Sequence, residues 1–125
     1  MFRVEGTNIT LSRGDTGSMR IHATVTRKDT GAPYTFGEND RAVFSVKNGS
    51  GTVVKEQAYK MTDNTFTVVF FNADTDRFAA GGYTWDVRYV INPYYDEKGN
   101  VVDGDQVLTP NTPMQMNLLN VVANI

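Results

Sequence analysis

The stretch that decides the fold is residues 83–91, which read Tyr83-Thr84-Trp85-Asp86-Val87-Arg88-Tyr89-Val90-Ile91. Its large apolar residues stand at every second position: Tyr83, Trp85, Val87, Tyr89 and Ile91. A period of two places alternate side chains on the two faces of a β-strand, whereas a helix needs a period of 3.6. The stretch therefore predicts a strand whose Tyr83 and Trp85 rings lie in the core.

Three other stretches alternate in the same way, at 18–26, 42–47 and 66–71. Further strands are expected at 52–61, 101–109 and 114–122. Residues rich in Gly, Asn, Asp and Pro separate these stretches and predict turns at 28–33, 48–51, 62–64 and 92–100, the last reversing at Gly99-Asn100. About seven to nine short strands predict an all-β, antiparallel, immunoglobulin-like β-sandwich, with a closed barrel as the alternative.

One short helical turn is expected within this β pattern, near 73–79. Asp74 is placed to cap it, and Gly81-Gly82 are placed to end it. Pro110 and Pro113 are expected at the edge or the entry of the last strand. With no linker and no repeat, residues 1–125 are expected to form one domain. The apolar ending Val121-Val122-Ala123-Asn124-Ile125 is expected to pack rather than fray, which favours a complete domain.

Composition narrows the function classes. The chain has 125 residues, a formal net charge of −2 and no cysteine, so disulfides and thiolate metal sites are excluded. The chain has no block of basic residues, so its charge pattern does not favour nucleic-acid binding. The longest apolar run, Val68 to Phe71, is far too short for a membrane helix, and no signal peptide is visible. We expect a virion or host-cytoplasmic location with no membrane contact.

The sequence shows no convergent catalytic set. His22 is the only histidine, and its position predicts the polar face of a strand. Asn72, Asp74 and Asp76 resemble the start of a calcium loop, but Arg77 stands where that loop needs Gly and Tyr83 where it needs Glu. Asp103 and Asp105 are interpreted as a solvated turn. We therefore expect no enzyme activity, no metal and no cofactor.

Some residues are better explained by binding. Tyr94 and Tyr95 are expected in an exposed loop, and Val69 and Phe71 on the face of their strand opposite Phe66, Val68 and Phe70. These four are the candidate interaction surface, and Val43 and Val90 are also expected to be exposed. The tripeptide Arg13-Gly14-Asp15, which integrins recognise in other proteins, is interpreted as a strand end followed by a turn.

Two longer stretches carry a resemblance to a known group. One is Ile9-Thr10-Leu11-Ser12-Arg13-Gly14-Asp15-Thr16-Gly17-Ser18, followed by a strand and by Gly31-Ala32-Pro33-Tyr34. The other is Asn72-Ala73-Asp74-Thr75-Asp76-Arg77-Phe78, which leads into Gly81-Gly82-Tyr83-Thr84-Trp85-Asp86-Val87. Together they resemble small structural proteins of tailed phages and prophages, and in particular the N-terminal domain of baseplate upper proteins. In that group a "GDT" turn opens the domain, and a "G-x-Y-x-(W/Y)-D" strand follows a short helix.

The resemblance covers most of residues 7–91, and the segment 92–113 is longer than the pattern. It implies an immunoglobulin-like sandwich with a role in virion or tail assembly, and it carries no catalytic residue. We therefore expect a non-enzymatic assembly module whose partners are other tail proteins or further copies of the chain. The alternative is a carbohydrate-binding module that uses Tyr94 and Tyr95.

Overall fold

The structure, a computed structural model, describes residues 2–23, 25, 30–32, 34–108 and 117–122. Its elements in chain order are β1 (Phe2–Glu5), β2 (Asn8–Ser12), β3 (Gly17–His22), β4 (Arg41–Lys47), β5 (Val53–Lys60), β6 (Thr65–Phe70), α1 (Asn72–Thr75), β7 (Gly81–Tyr95), β8 (Val101–Leu108) and β9 (Leu118–Val122). The expected count of seven to nine strands is confirmed within these residues.

The strands form two sheets of unequal size. The large sheet has the order β1-β2-β9-β7-β4-β5, and β8 pairs with the far end of β7. The small sheet is the antiparallel pair β3-β6. The all-β sandwich is confirmed, with one correction: β2 and β9 run parallel, so the large sheet is not purely antiparallel.

The strand order follows the scheme of an immunoglobulin sandwich. In that scheme strands C, F and G, with C′ in variable-type domains, lie in one sheet, and strands B and E lie in the other. Here β4, β7 and β9, with β5, share the large sheet, while β3 and β6 form the small one. The segment that connects β7 to β9 therefore occupies the place of the F–G loop.

Aromatic rings fill the space between the sheets. The fully buried ring of Phe44 lies 5.8 Å from Phe70 of the small sheet and 5.4 Å from Trp85, measured between ring centroids. The Trp85 indole donates its Nε1–H to the carbonyl of Thr7 at 2.9 Å, which satisfies its polar atom. The expectation that Trp85 lies in the core is confirmed.

The helical turn is shorter than expected. It spans Asn72–Thr75 and ends well before Gly81 and Gly82, which are the first residues of β7. Asp74 is its third residue rather than its cap, and its carboxylate accepts the N–H of Phe71 at 3.1 Å. A bond to a backbone N–H ahead of the helix is what a carboxylate at this position makes in a capping box.

A tyrosine corner joins this turn to β7. The Tyr83 hydroxyl donates to the carbonyl of Ala79 at 2.7 Å, and the Tyr83 ring lies 5.4 Å from that of Phe78. A tyrosine at the start of strand F that bonds backwards to the main chain is a hallmark of immunoglobulin-type sandwiches. This bond supports the assignment of β7 as strand F independently of the order of strands in the sheet.

The predicted turns have mixed outcomes. Those at 48–51 and 62–64 are confirmed, and Asp63 and Asn64 have the positive φ values of a tight hairpin turn. The reversal at Gly99-Asn100 is confirmed as well. Residues 92–95 belong to strand β7 rather than to a turn, and Asp103 and Asp105 lie in β8. Most of the 28–33 turn, Pro110, Pro113 and the start of the predicted 114–122 strand lie outside the described residues.

Candidate functional site

A hairpin extends from one end of the sandwich, and we call residues 91–108 the arm. Strand β4 stops pairing with β7 at Val90, but β7 continues to Tyr95 and returns as β8. The five-residue turn between them is fixed by the carboxylate of Asp96, which accepts the N–H groups of Lys98 and Asn100 at 2.9 Å. These bonds, that to Asn100 foremost, lower the pKa of Asp96. The tip is therefore an ordered turn.

The base of the arm is built by two unusual backbone positions. Asn92 has a φ of +47°, and its N–H donates to the buried carboxylate of Asp40 at 3.2 Å. The other oxygen of Asp40 accepts the N–H of Gly37 at 2.7 Å. Gly104 lies so close to Val90 that a Cβ would come within 2.4 Å of the valine Cγ1. The arm therefore bends at Asn92 and lies against the sheet at Gly104.

The arm carries several of the large apolar side chains that the described part of the chain exposes, namely Tyr94, Tyr95, Val102 and Val107. Tyr94 is 51% exposed and Tyr95 48% exposed, as expected from the sequence. The register of β7 against β8 shifts between these two tyrosines, so Tyr94 pairs with Asp103 and Tyr95 with Val101. Strand β8 pairs only with β7 among the described strands, which leaves its outer edge without a neighbour there.

A small polar network lies on one face of the arm. The carboxylate of Asp105 accepts the Tyr94 hydroxyl and, at 3.1 Å, the side-chain amide of Asn92. The bond to Asp105 raises the pKa of Tyr94, and the bond from Tyr94 lowers the pKa of Asp105. The network stiffens the arm by linking its two strands.

The other two predicted surface residues lie elsewhere. Phe71 is 58% exposed and directly precedes α1, and Val69 is half-buried near the end of β6. The arm leaves the opposite end of the sandwich, because β7 runs away from α1 before it reaches Tyr94. The structure therefore does not bring the four candidate residues together into one surface.

The expectation that Val43 and Val90 are exposed is wrong. Both lie on the outer face of the large sheet, yet they are only 2% and 1% exposed. Val43 is flanked by its partners Ala58 and Arg88 in the neighbouring strands, and Val90 is covered by the arm at Gly104. Side chains and backbone of the chain itself cover this part of the sheet.

The two stretches that carry the phage resemblance contact each other. Arg13 donates its Nε–H to the carbonyl of Asp76 at 2.8 Å, and Asn72 donates its side-chain amide to the carbonyl of Gly14 at 2.7 Å. The buried hydroxyl of Thr75 donates to the carbonyl of Asp15 at 2.7 Å. These bonds join the turn at Arg13-Gly14-Asp15 to the helical turn at 72–76, which is the segment whose start resembles a calcium loop.

An open cleft of about 320 Å³ between β5 and α1 is a weaker candidate. One of its two lining cations is Lys55, whose side chain is 8% exposed and whose Nζ lies 3.3 Å from the Asp74 carboxylate. The same ammonium lies 5.8 Å from the centre of the Phe70 ring. Because Lys55 is already neutralised and packed, it offers a ligand little uncompensated charge, and Arg77 is the other cation of the lining.

The described residues contain no group of three or more histidine and carboxylate side chains that could hold a metal ion. His22 is exposed on the outer face of the small sheet, as its sequence position predicts. No helix in the described part of the chain is long and apolar enough to cross a membrane. Among the described residues, the arm carries more exposed large apolar side chains than any other hairpin or strand.

Comparison with protein-family models, with curated proteins and with solved structures found no match to this chain.

Proposed function

We propose that this domain is a non-enzymatic assembly module that docks on another protein through the arm, within a phage or prophage tail as the sequence resemblance implies. The observation that carries the proposal is the arm itself. It is an ordered hairpin that extends past β4 and exposes Tyr94, Tyr95 and Val102 to solvent. Exposed apolar side chains on an otherwise satisfied fold are typical of protein contact sites.

A shortened arm tests the proposal. Ile91 and Gln106 already pair, and Asn92 already has the positive φ that begins a two-residue hairpin turn. Replacing residues 93–105 with a single glycine therefore closes β7 and β8 through an Asn-Gly turn and keeps the bond from Asn92 to Asp40. This variant removes the docking element and leaves the sandwich in place.

The expected result is that the full chain self-associates with rising concentration, or co-purifies with a tail protein encoded beside it. The shortened chain does neither, as measured by sedimentation velocity and affinity co-purification. A full chain that remains monomeric at every concentration and retains no tail protein contradicts the proposal. So does a shortened chain that assembles as well as the full one.

Carbohydrate binding remains the second candidate, because the Tyr94 and Tyr95 rings are both about half exposed. The Tyr94 hydroxyl is already bound to Asp105, so it is not available to a sugar hydroxyl. Retention on a glycan array that is lost in Tyr94→Ala or in Tyr95→Ala, with the fold intact, supports this candidate. A wild-type chain that binds no glycan excludes it.

A further inference from the structure

The outer edge of β8 suggests what kind of partner the arm receives. This inference rests on the proposed function. An edge strand presents a row of backbone N–H and C=O groups that an extended segment of another chain can pair with. Proteins usually protect such edges with Lys, Pro, other charged side chains or β-bulges. Strand β8 reads Val-Val-Asp-Gly-Asp-Gln-Val-Leu and contains no Lys or Pro. Its register against β7 shifts once, between Tyr94 and Tyr95, and its charges are two aspartates, which repel an acidic strand but attract a cationic one.

The charges of the arm are strongly one-sided. Residues 91–108 carry four carboxylates, on Asp96, Glu97, Asp103 and Asp105, against the single ammonium of Lys98. Their net charge of −3 exceeds the −2 of the whole chain, so the rest of the protein is close to neutral. Asp103 and Asp105 lie two residues apart and therefore on the same face of β8.

Neither aspartate has a cationic partner among the described residues. Asp103 accepts the N–H of Gly104 at 2.8 Å, and Asp105 accepts from Tyr94 and Asn92, all of them neutral donors. Ion pairs elsewhere on the large sheet show the contrast, as Lys47 lies 3.8 Å from Asp86 and Arg88 lies 3.6 Å from Glu56. An incoming strand with Lys or Arg at alternate positions would supply the missing charges.

The same charges argue against a second copy of β8 as the partner strand. A two-fold antiparallel pairing centred on Asp103, Gly104 or Asp105 would place aspartates directly opposite each other. Like charges at such positions destabilise a sheet. Val102 lies between Asp103 and Val101, the partners of Tyr94 and Tyr95, and is itself unpaired; it is 61% exposed and offers an apolar contact to the positions between the cations.

We propose that the arm receives an extended segment of a partner protein, with Lys or Arg alternating with apolar residues, which pairs with the outer edge of β8. The segment adds a strand to the large sheet, its cations face Asp103 and Asp105, and its apolar side chains contact Val102. Backbone pairing gives affinity, and the alternation gives register.

The test uses a fluorescent synthetic peptide that alternates Lys and Val over the length of β8. Two control peptides replace Lys with Glu, or keep the composition but group all Lys before all Val. We expect the alternating peptide alone to bind in fluorescence anisotropy and to slow hydrogen exchange of the β8 amides. Asp103→Asn should weaken its binding about two- to fivefold. Asp63→Asn, an exposed carboxylate in the β5–β6 turn, is the matched control and should leave binding unchanged.

Failure of the inference is distinguishable from failure of the proposed function. If shortening the arm abolishes assembly but the alternating peptide does not bind, the arm docks by another mode and the inference falls alone. Equal binding of the grouped-lysine peptide, or protection of amides outside β8, also overturns it. If shortening leaves assembly intact, the proposed function falls as well.

Discussion

At the scale of single residues, a few polar side chains hold segments that are distant in the sequence. Asn64 is the clearest case, with a φ of +58° in the turn between β5 and β6. Its side chain accepts the N–H of Phe36 and donates to the carbonyl of Tyr34, both at 2.9 Å, and its own carbonyl accepts the N–H of Ala23. One residue thus connects three segments at the arm end of the sandwich.

Replacing Asn64 separates its two roles. Asn64→Ala removes both side-chain bonds and adds the cost of a positive φ, so the free energy of unfolding should fall by about 2–4 kcal/mol. Asn64→Gly loses the same bonds but tolerates the backbone, and it should be about 1 kcal/mol less destabilising. Urea denaturation measures both, with Asp63→Asn as a control expected to change little. Equal losses for Ala and Gly would show that the backbone conformation contributes nothing.

The contact between Tyr94 and Asp105 predicts a pH dependence with two limits. The pKa of Asp105 is lowered in the folded state. Its ionised carboxylate therefore stabilises the folded protein above the unfolded-state pKa, and this contribution is lost as the pH falls through the folded-state pKa. The pKa of Tyr94 is raised in the folded state. Its protonated hydroxyl therefore stabilises the folded protein below the unfolded-state pKa, and this contribution is lost as the pH rises through the folded-state pKa.

Absorbance titration of tyrosinate provides the measurement for this contact. We expect one tyrosine to ionise at a higher pH in the wild type than in Asp105→Asn, where the carboxylate no longer accepts the Tyr94 proton. Tyr95→Phe should leave that difference intact, because the side-chain bonds to Asp105 come from Tyr94 and Asn92. An identical titration of wild type and Asp105→Asn would contradict the assigned bond.

At the scale of elements, β7 shows why the core was predictable and the arm was not. Its first half alternates strictly, and alternation reports burial on one face. Beyond Ile91, Asn92-Pro93 has the composition of a turn, yet β7 continues through it. Pro93 is tolerated because β4 stops pairing at Val90, so β7 beyond that point has only β8 as a neighbour among the described strands, and Pro is accepted in such an edge position.

Other elements depended on contacts that no local pattern contains. The parallel pairing of β2 with β9 joins residues more than a hundred positions apart. The ion pair of Lys55 with Asp74 forms only after β5 and α1 are placed together. For the candidate site, exposure of Tyr94 and Tyr95 followed from their polar surroundings. The separation of Val69 and Phe71 from the arm required the strand order, which the sequence pattern does not specify.

A methyl group at Gly104 tests the bend of the arm. In Gly104→Ala the new Cβ would meet Val90 Cγ1 at 2.4 Å and the Ile91 carbonyl oxygen at 2.8 Å, so the backbone must move. We expect a loss of about 1–3 kcal/mol and faster hydrogen exchange across 101–107. Gly49→Ala, where a Cβ meets nothing within 4 Å, is the control. Unchanged exchange in Gly104→Ala would mean that the arm is not held against the sheet.

At the scale of the whole molecule, the sandwich and the arm are separable in their energetics. The buried rings that contact both sheets, Phe44 and Phe70 among them, lie within the sandwich, whereas the arm beyond Ile91 is mostly exposed. Most of the hydrophobic free energy therefore belongs to the sandwich. The arm adds exposed surface for contact but contributes little to the free energy of unfolding.

The shortened-arm variant should therefore fold. We expect cooperative unfolding with a free energy within about 1–2 kcal/mol of the wild type, the loss coming from the newly exposed Val90. The near-ultraviolet circular dichroism of Trp85 should be unchanged, because its neighbours Phe44 and Thr7 are untouched. A non-cooperative melt, or loss of the Trp85 signal, would show that the arm is part of the folding unit.

The placement of β9 between β2 and β7 has a consequence for synthesis of the protein. Both neighbours of β9 are translated before it, so the large sheet stays in two separate parts until residue 122 has left the ribosome. During that interval β2 and the first part of β7 each present an unpaired edge to the crowded cell. The nascent chain is thus most vulnerable to wrong pairing just before β9 emerges, and slow translation across 109–117 would lengthen that exposure.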